Sequence, residues 1–471
     1  MKIEQIYTGC LAEAAYYIHS NGEAAIIDPL RETEPYLTRA KNDGVKIKYI
    51  FLTHFHADFV SGHVDLSKET GATIVYGPNA KAEFDFYSGK DLENFYVGNI
   101  TIQLLNTPGH TMESSSFLLL NNNEKEHCIF TGDTLFIGDV GRPDLAVKSN
   151  LSKEDLAGLL FESLKTKIMT LPDSVIVYPG HGAGSACGKN LSKETFDTLG
   201  NQKLINYALR SDITKKEFIN EVTTGIPVAP QYFPKNVIMN KSKNISIDDV
   251  LKKGTKPLSV DVFRSMMKEE DVLVIDCRTK TDFVNAHIPG SLFFGLNGSF
   301  ALWVGTLIKK IDQKIILVTN QGKEKEAVTR LARTGYDNSL GYLKGGIEAW
   351  KEKGLETTKI QSIEAKQLEK ELKENNSLID LRKPNEYNTE SVKGAINFPL
   401  DYIHENIENY SSENKYYIHC QSGYRSVIAS SILLANGISN IVDIAGGFNL
   451  IKENTDLKLT DFNCPSNSNK N

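Results

Sequence analysis

Through the first 240 residues or so, short apolar runs recur at 24–27, 49–52, 73–76, 100–105, 117–120, 128–130 and 175–178, with turn-forming residues between them. Runs of this length predict strands, with a few helical stretches between. Histidines and acids fall just after several of these runs, in the loops where chemistry is usually carried. Residues 240–245 are polar and lysine-rich, the composition of a linker.

Beyond that point the pattern repeats. Val274-Ile275-Asp276-Cys277-Arg278 returns as Leu378-Ile379-Asp380-Leu381-Arg382, Leu317-Val318-Thr319-Asn320-Gln321-Gly322 as Ile418-His419-Cys420-Gln421-Ser422-Gly423, and Gly345-Gly346 as Gly446-Gly447. The offsets are 104 (276 to 380), 100 (320 to 420) and 101 (345 to 446). Three ordered matches at nearly constant spacing predict a duplicated α/β domain, each copy a parallel sheet with helices on both faces.

A chain of 471 residues is too long for one core, and three domains are expected. The net charge of −6 speaks against nucleic acid or an anionic membrane as main partner. No run approaches the ~18 apolar residues of a membrane span. Met1-Lys2-Ile3-Glu4-Gln5 has no apolar signal core, so a cytoplasmic protein is expected. Six cysteines make no disulfide framework. Cys10, Cys128 and Cys277 read as small buried residues, and Cys464 lies in a polar tail.

The densest chemistry is His54-Phe55-His56-Ala57-Asp58, entered from the apolar run at 49–52. Packing gives no reason to gather imidazoles beside an acid at the mouth of a strand, and a metal does. Thr107-Pro108-Gly109-His110, Thr131-Gly132-Asp133 and Tyr178-Pro179-Gly180-His181 complete the set.

These motifs resemble the metallo-β-lactamase superfamily over the first 240 residues or so. The resemblance implies an αββα sandwich whose strand-end loops hold metal. The superfamily usually runs HxHxDH, and here the last position is Phe59, which cannot ligate. Within the superfamily the chain looks most like the persulfide dioxygenases related to glyoxalase II. Gly138-Asp139-Val140-Gly141-Arg142-Pro143-Asp144 and the segment 230–237 also resemble that branch. Carried over by position, His54, His110 and Asp133 would bind a single Fe(II), with zinc as the alternative. Two imidazoles and a carboxylate leave positions open for substrate and dioxygen. His56, Asp58 and His181 would either orient these ligands or bind metal themselves. Arg142 would grip a carboxylate of a glutathione-like carrier or tie down its own loop, and Tyr178 would hydrogen-bond near the iron. Cys187 reads either as a sulfur relay or as a structural thiol on a glycine-rich loop.

His419-Cys420-Gln421-Ser422-Gly423-Tyr424-Arg425 joins a strand to the helical run 427–434. A cysteine there faces free backbone N–H groups and the positive end of a helix, which favour thiolate. The segment resembles a rhodanese. Four residues separate Cys420 from Arg425, a tighter loop than Cys-phosphatases use, and this favours sulfur. Cys420 would carry the sulfur, with Arg425 as oxyanion or loop-ordering partner. Glu390-Ser391 departs from the Gly-His common in rhodaneses. The middle copy has Asn320 in place of the cysteine and would be inactive, a spacer or docking surface. Its apolar stretch 300–304 would be core or an interface.

Together these features resemble the persulfide dioxygenase–rhodanese fusions of bacterial sulfide detoxification. The expected division is 1–242 for the dioxygenase, 243–355 for the inactive rhodanese-like copy and 356–471 for the active one. The resemblance implies oxidation of a thiol persulfide (glutathione, bacillithiol or coenzyme A type) by dioxygen to sulfite, with thiosulfate made or consumed at Cys420. Either direction is chemically allowed, and a homo-oligomer is expected. The competing readings are a glyoxalase II-like zinc thioester hydrolase with a sulfur-carrier tail, and a non-enzymatic sulfur carrier.

Overall fold

The short apolar runs of the first half form two six-stranded sheets. One holds, in spatial order, Lys2–Thr8, Glu13–Ser20, Glu23–Ile27, Lys46–Phe51, Thr73–Tyr76 and Tyr87–Ser88. The other holds Asp197–Thr198, Ile176–Pro179, Glu126–Gly132, Ser115–Leu120, Ile100–Asn106 and Asn94–Val97. The period-two alternation of a strand divides each sheet's residues between two faces. Tyr16, Ile18, Ala25, Ile27 and Phe51 meet Leu104, Phe117, Leu119, Cys128 and Phe130 in one buried cluster between the sheets. Their strand neighbours Tyr17, Ala24, Ile26 and Ile50 pack with Tyr36 and Leu66, on helices Glu34–Asp43 and His63–Thr70. The second sheet's outer residues, Leu105, Leu118, Ile129 and Val177, cluster with Leu160 of helix Lys153–Ser163 and Phe218 of helix Lys215–Thr223. Both of these helices open on capping boxes, Ser152 with Asp155 and Thr214 with Glu217, which satisfy amides the helix leaves free. The result is the αββα sandwich.

The structure is a computed structural model that describes residues 1–147, 151–189, 191–226, 228–372, 377–411 and 413–462; Cys464 lies outside them. It divides into two units: Met1–Val250 with Thr329–Asp337, and Leu251–Val328 with Asn338–Asn471.

In the second unit the repeat becomes two five-stranded, all-parallel sheets of identical strand order. One runs Pro257–Leu258, Ser339–Leu343, Lys314–Val318, Val272–Asp276, Leu292–Phe293. The other runs Ser362–Ile363, Ile441–Ile444, Tyr416–His419, Ser377–Asp380, Ile396–Asn397. In both copies an Asp-x-Arg closes on itself after the central strand, Arg278 on Asp276 and Arg382 on Asp380. These are two rhodanese-like folds.

Two expectations change. Residues 240–245 do not begin as a linker, because helix Phe233–Lys241 runs through Asn240 and buries its side chain. Cys128 and Cys277 are buried, but Cys10 is part-exposed in the turn after Lys2–Thr8, with Arg333 Nη1 3.5 Å from its sulfur. Among the described residues no helix is long and apolar enough to cross a membrane.

Candidate metal centre and sulfur-transfer site

Each predicted metal-site residue follows the carboxyl end of a strand. His54, His56 and Asp58 follow Lys46–Phe51, His110 follows Ile100–Asn106, Asp133 follows Glu126–Gly132 and His181 follows Ile176–Pro179. The sheets bring them together in three overlapping groups, His54/His110/Asp133, His56/Asp58/His181 and Asp133/His181/Cys187, each with its ligating atoms within 4.8 Å of one another. All are buried. Asp133 is the hub: one oxygen lies 3.4 Å from His110 Nε2 and 3.9 Å from His54 Nε2, the other 3.5 Å from His181 Nε2.

The surrounding hydrogen bonds fix which imidazole nitrogen is free. His110 Nδ1 lies 2.9 Å from the Arg142 carbonyl and His181 Nδ1 3.2 Å from the Ala12 carbonyl. A carbonyl only accepts, so both rings carry the proton on Nδ1 and turn a lone pair inward on Nε2. His54 is set by a longer chain. The Thr53 hydroxyl donates to Asp28 Oδ2 at 2.8 Å, so its oxygen accepts from His54 Nδ1 at 3.0 Å. Burial, followed by the neighbouring rings of His56, His110 and His181, pushes the His54 pKa well down and keeps that ring neutral. His56 stands 3.0 Å from Asp28 through Nε2.

Among the described residues, both oxygens of Asp133, both oxygens of Asp58 and Nε2 of His181 are buried without a hydrogen-bond partner. Unpaired buried carboxylates are strongly unfavourable, and a divalent cation among them satisfies the whole set. Mixed imidazole and carboxylate donors suit Zn(II) or Fe(II). This is a metal-binding His/Asp site. Gly180 lets its loops close: a Cβ there would stand 2.7 Å from Asp133 Oδ1.

Phe59 is fully buried, and its ring lies 4.3 Å from that of His56. Cys187 faces the cluster and is buried, its thiol pushed well up by burial and then by Asp58 and Asp133. Arg142 is not brought to the opening as a free fork. Its guanidinium is buried and bidentate on Asp144, both contacts 2.7 Å, with Nη1 donating to the Ala186 carbonyl. Tyr178 stacks on Phe130 and leans on Tyr16 and Phe196 in the aromatic core.

Three supports carried no motif signal. Thr53 and Asp28 hold His54. Asn240 donates to the carbonyls of His56 (2.8 Å) and Phe59 (2.7 Å) and accepts from the Ser61 amide (2.8 Å).

In the second unit Cys420 is buried between strand Tyr416–His419 and helix Tyr424–Ala435. The Gly423 amide donates to its sulfur at 3.2 Å, and Ser426 Oγ lies 3.9 Å from it. The loop is pinned from behind. The Phe448 amide donates to the Cys420 carbonyl at 2.7 Å, and a Cβ on Gly447 would stand 2.4 Å from that oxygen. Only glycine permits that approach. Arg425 is bidentate on Glu386, at 2.7 and 2.8 Å. In the other copy the position that matches Cys420 is Thr319 and not Asn320. Val318 and His419 pair with Asp276 and Asp380 at the ends of the central strands, Thr319 and Cys420 come next, and their carbonyls face Gly346 and Gly447. Asn320 is the exposed residue after it, and a threonine cannot carry a persulfide, so that copy still lacks the sulfur-carrying residue.

Family profiles agree with this layout. A metallo-beta-lactamase superfamily profile matches residues 8–181, and a rhodanese-like domain profile matches 259–353 and 364–454. A probable hydroxyacylglutathione hydrolase of Schizosaccharomyces pombe is 33% identical over 34% of this chain and 59% of its own length. The hydroxyacylglutathione hydrolase GloC of Haemophilus influenzae is 30% identical over 37% of this chain and 86% of its own. The mitochondrial persulfide dioxygenase ETHE1 of Homo sapiens is 32% identical over 34% and 59%. The chain thus spans under two thirds of the fission-yeast and human proteins. A crystal structure of a metallo-beta-lactamase from Staphylococcus aureus superposes with a TM-score of 0.64 at 30% identity, covering 73% of this chain and 98% of that one. The chain belongs to the metallo-beta-lactamase superfamily and carries two rhodanese-like domains behind its metal-binding domain.

Proposed function

We propose that this chain is an Fe(II) persulfide dioxygenase fused to a sulfurtransferase, divided as 1–242, 243–355 and 356–471. The observation that carries the reading is Phe59, an apolar ring at the position where a further ligand would build a second metal site. Its presence favours one metal on His54, His110 and Asp133 over a dinuclear hydrolytic centre. When bound, Fe(II) supplies open coordination positions and one-electron chemistry that bring persulfide and dioxygen together.

The residues around it set the conditions. Thr53 and the Arg142 carbonyl hold the imidazoles of His54 and His110 in their ligating tautomer. His56, Asp58 and His181 converge beside these ligands and can orient water or a proton near the reacting sulfur. Arg142, bound to Asp144, shapes its loop, and Cys187 is placed to pass sulfur within the cluster. One persulfide, one dioxygen and one water then give one thiol, one sulfite and two protons. Sulfite accepts the outer sulfur of a Cys420 persulfide, giving thiosulfate and the Cys420 thiolate, and the reverse step regenerates the persulfide. Donation from the Gly423 amide suits a sulfur anion at Cys420.

One observation favours a second reading. His56, Asp58 and His181 converge within 4.8 Å, a partial second metal position, and hydroxyacylglutathione hydrolases are relatives of similar identity to the dioxygenase. That reading is a zinc thioester hydrolase.

Oxygen uptake decides between them. The anaerobically iron-loaded protein is given glutathione persulfide beside a Cys420→Ser variant. Iron-dependent uptake, with thiosulfate from the wild type and sulfite from the variant, supports the proposal. No uptake, with zinc-dependent cleavage of a glutathione thioester, establishes the hydrolase.

A further inference from the structure

The copy that lacks the cysteine builds part of the Cys420 site. A cavity of about 650 Å³ opens on Cys420 and Arg425, and Lys280, Asn297, Leu302 and Trp303 of that first rhodanese-like copy form its other wall. All of these residues lie within the second unit. Lys280 Nζ donates to the Ser422 carbonyl of the Cys420 loop at 2.8 Å, and Tyr424 Oη donates to the Gly295 carbonyl at 2.7 Å. The Phe293 ring packs edge-on against Tyr424 at 5.6 Å.

Volume and chemistry indicate what this cavity takes. Several hundred Å³ is the size that holds a small organic ligand, and a sulfur oxyanion would fill little of it. Two of the three cations on its lining are already engaged: Arg278 is bidentate on Asp276, and Arg425 on Glu386. Lys280 is exposed and makes no ion pair among the described residues. Beside it lie an exposed amide, Asn297, and the apolar Trp303 and Leu302 on helix Phe300–Leu307. A cation, an amide and an apolar wall facing a nucleophilic sulfur suit a thiol with a carbon body and an anionic group.

We propose that the first rhodanese-like copy is the carrier-binding half of the Cys420 site, where Lys280 holds the anionic group of a low-molecular-weight thiol and Trp303 and Leu302 cover its carbon body. This rests on Cys420 as the sulfur-carrying residue. In the step it serves, the carrier thiolate attacks the outer sulfur of the Cys420 persulfide. A carrier S–S bond forms, the Cys420 S–S bond breaks, and its electron pair stays on Cys420 as thiolate. The sulfur moves without change of oxidation level, and loading of Cys420 from a carrier persulfide runs through the same contacts in reverse.

The test uses the full chain, with Cys420 loaded from thiosulfate and sulfur transfer followed to cyanide, glutathione or coenzyme A. Cyanide has no body or anionic tail for Lys280 to hold. Lys280→Ala is expected to lower kcat/KM for at least one thiol, relative to cyanide, by about tenfold, chiefly through KM, with Lys280→Arg restoring most of it. A larger fall for glutathione identifies a carboxylate as the anion, and a larger fall for coenzyme A identifies a phosphate. Equal falls for cyanide and both thiols would overturn the inference, because Lys280 would then only prop the Ser422 loop. An unchanged ratio would overturn it as well. If the wild type transfers no sulfur even to cyanide, the Cys420 reading fails and takes this inference with it.

Discussion

Phe59 lies with its ring 4.3 Å from the ring of His56, fully buried, at the position where the superfamily pattern places another histidine. An apolar ring there packs against one member of the His56/Asp58/His181 group and offers it no further ligand. If Phe59 is what limits the site to one metal, Phe59→His should raise zinc content from about one to about two ions per chain, with Phe59→Leu staying at about one. Elemental analysis after zinc loading and gel filtration reads this directly. Equal zinc in the histidine variant and wild type would mean that something other than Phe59 sets the stoichiometry.

Asn240 clamps the loop that carries His56 and Asp58 through three hydrogen bonds, to the carbonyls of His56 and Phe59 and from the amide of Ser61. Asn240→Ala leaves these buried groups unpaired, at a cost of about 2–4 kcal/mol in unfolding free energy. The loosened loop should also lower metal affinity by about tenfold or more. Denaturant unfolding of the metal-free protein and a competitive zinc titration measure the two effects separately. A variant that matched wild type in both would remove Asn240 from the site's support.

The difference between Asn240 and His54 shows what a sequence exposes. His54, His110, Asp133 and His181 each follow a short apolar strand, so local pattern alone places them at strand ends, and the parallel repeat brings out Cys420 the same way. Its counterpart is one residue off, Thr319 in place of Asn320, because the register of the repeat is set by the strand pairing and not by local likeness. Asn240 acts on residues about 180 positions away, and neither its type nor its neighbours mark it. Lysine-rich surroundings made 240–245 look like a linker, although one face of helix Phe233–Lys241 is buried. Arg142 carried its own answer two residues along, in Asp144, but only geometry shows the bidentate pair. Thr53 and Asp28 carry no such mark, because a threonine and an aspartate near a strand end are common. The wall that helix Phe300–Leu307 gives to the Cys420 cavity depends on how the two copies pack, which no local pattern encodes.

Gly180 precedes His181 and leaves room for the hub of the metal site. A methyl group there would stand 2.7 Å from Asp133 Oδ1, inside van der Waals contact, and the carboxylate would have to turn. Gly180→Ala should therefore weaken metal binding by about 10- to 100-fold, the range seen when groups that orient ligands are disturbed. The same zinc titration applies, with circular dichroism confirming that the sheets persist. Wild-type affinity in the variant would show that Asp133 has slack the geometry does not suggest.

Asp443 gives the second unit a pH dependence of its own. It is buried on strand Ile441–Ile444 and accepts from Ser362 Oγ at 3.1 Å. Burial pushes its carboxyl up to about 6, against the opposing pull of the Ser426 and Ser362 hydroxyls and the Lys280 charge. The folded value lies above the unfolded one of about 4, so the native state holds the proton more tightly. Stability from this group is fully present below about pH 4, is lost as pH rises towards about 6, and stays lost above. Asp443→Asn is neutral throughout and should flatten that interval. It should be more stable than wild type at pH 7 by on the order of 2–3 kcal/mol, with the advantage gone near pH 4. Both tryptophans, Trp303 and Trp350, lie in the second unit, so their fluorescence during denaturant unfolding follows that unit. Parallel stability curves for the two proteins between pH 4 and 6 would show that Asp443 does not take up this proton.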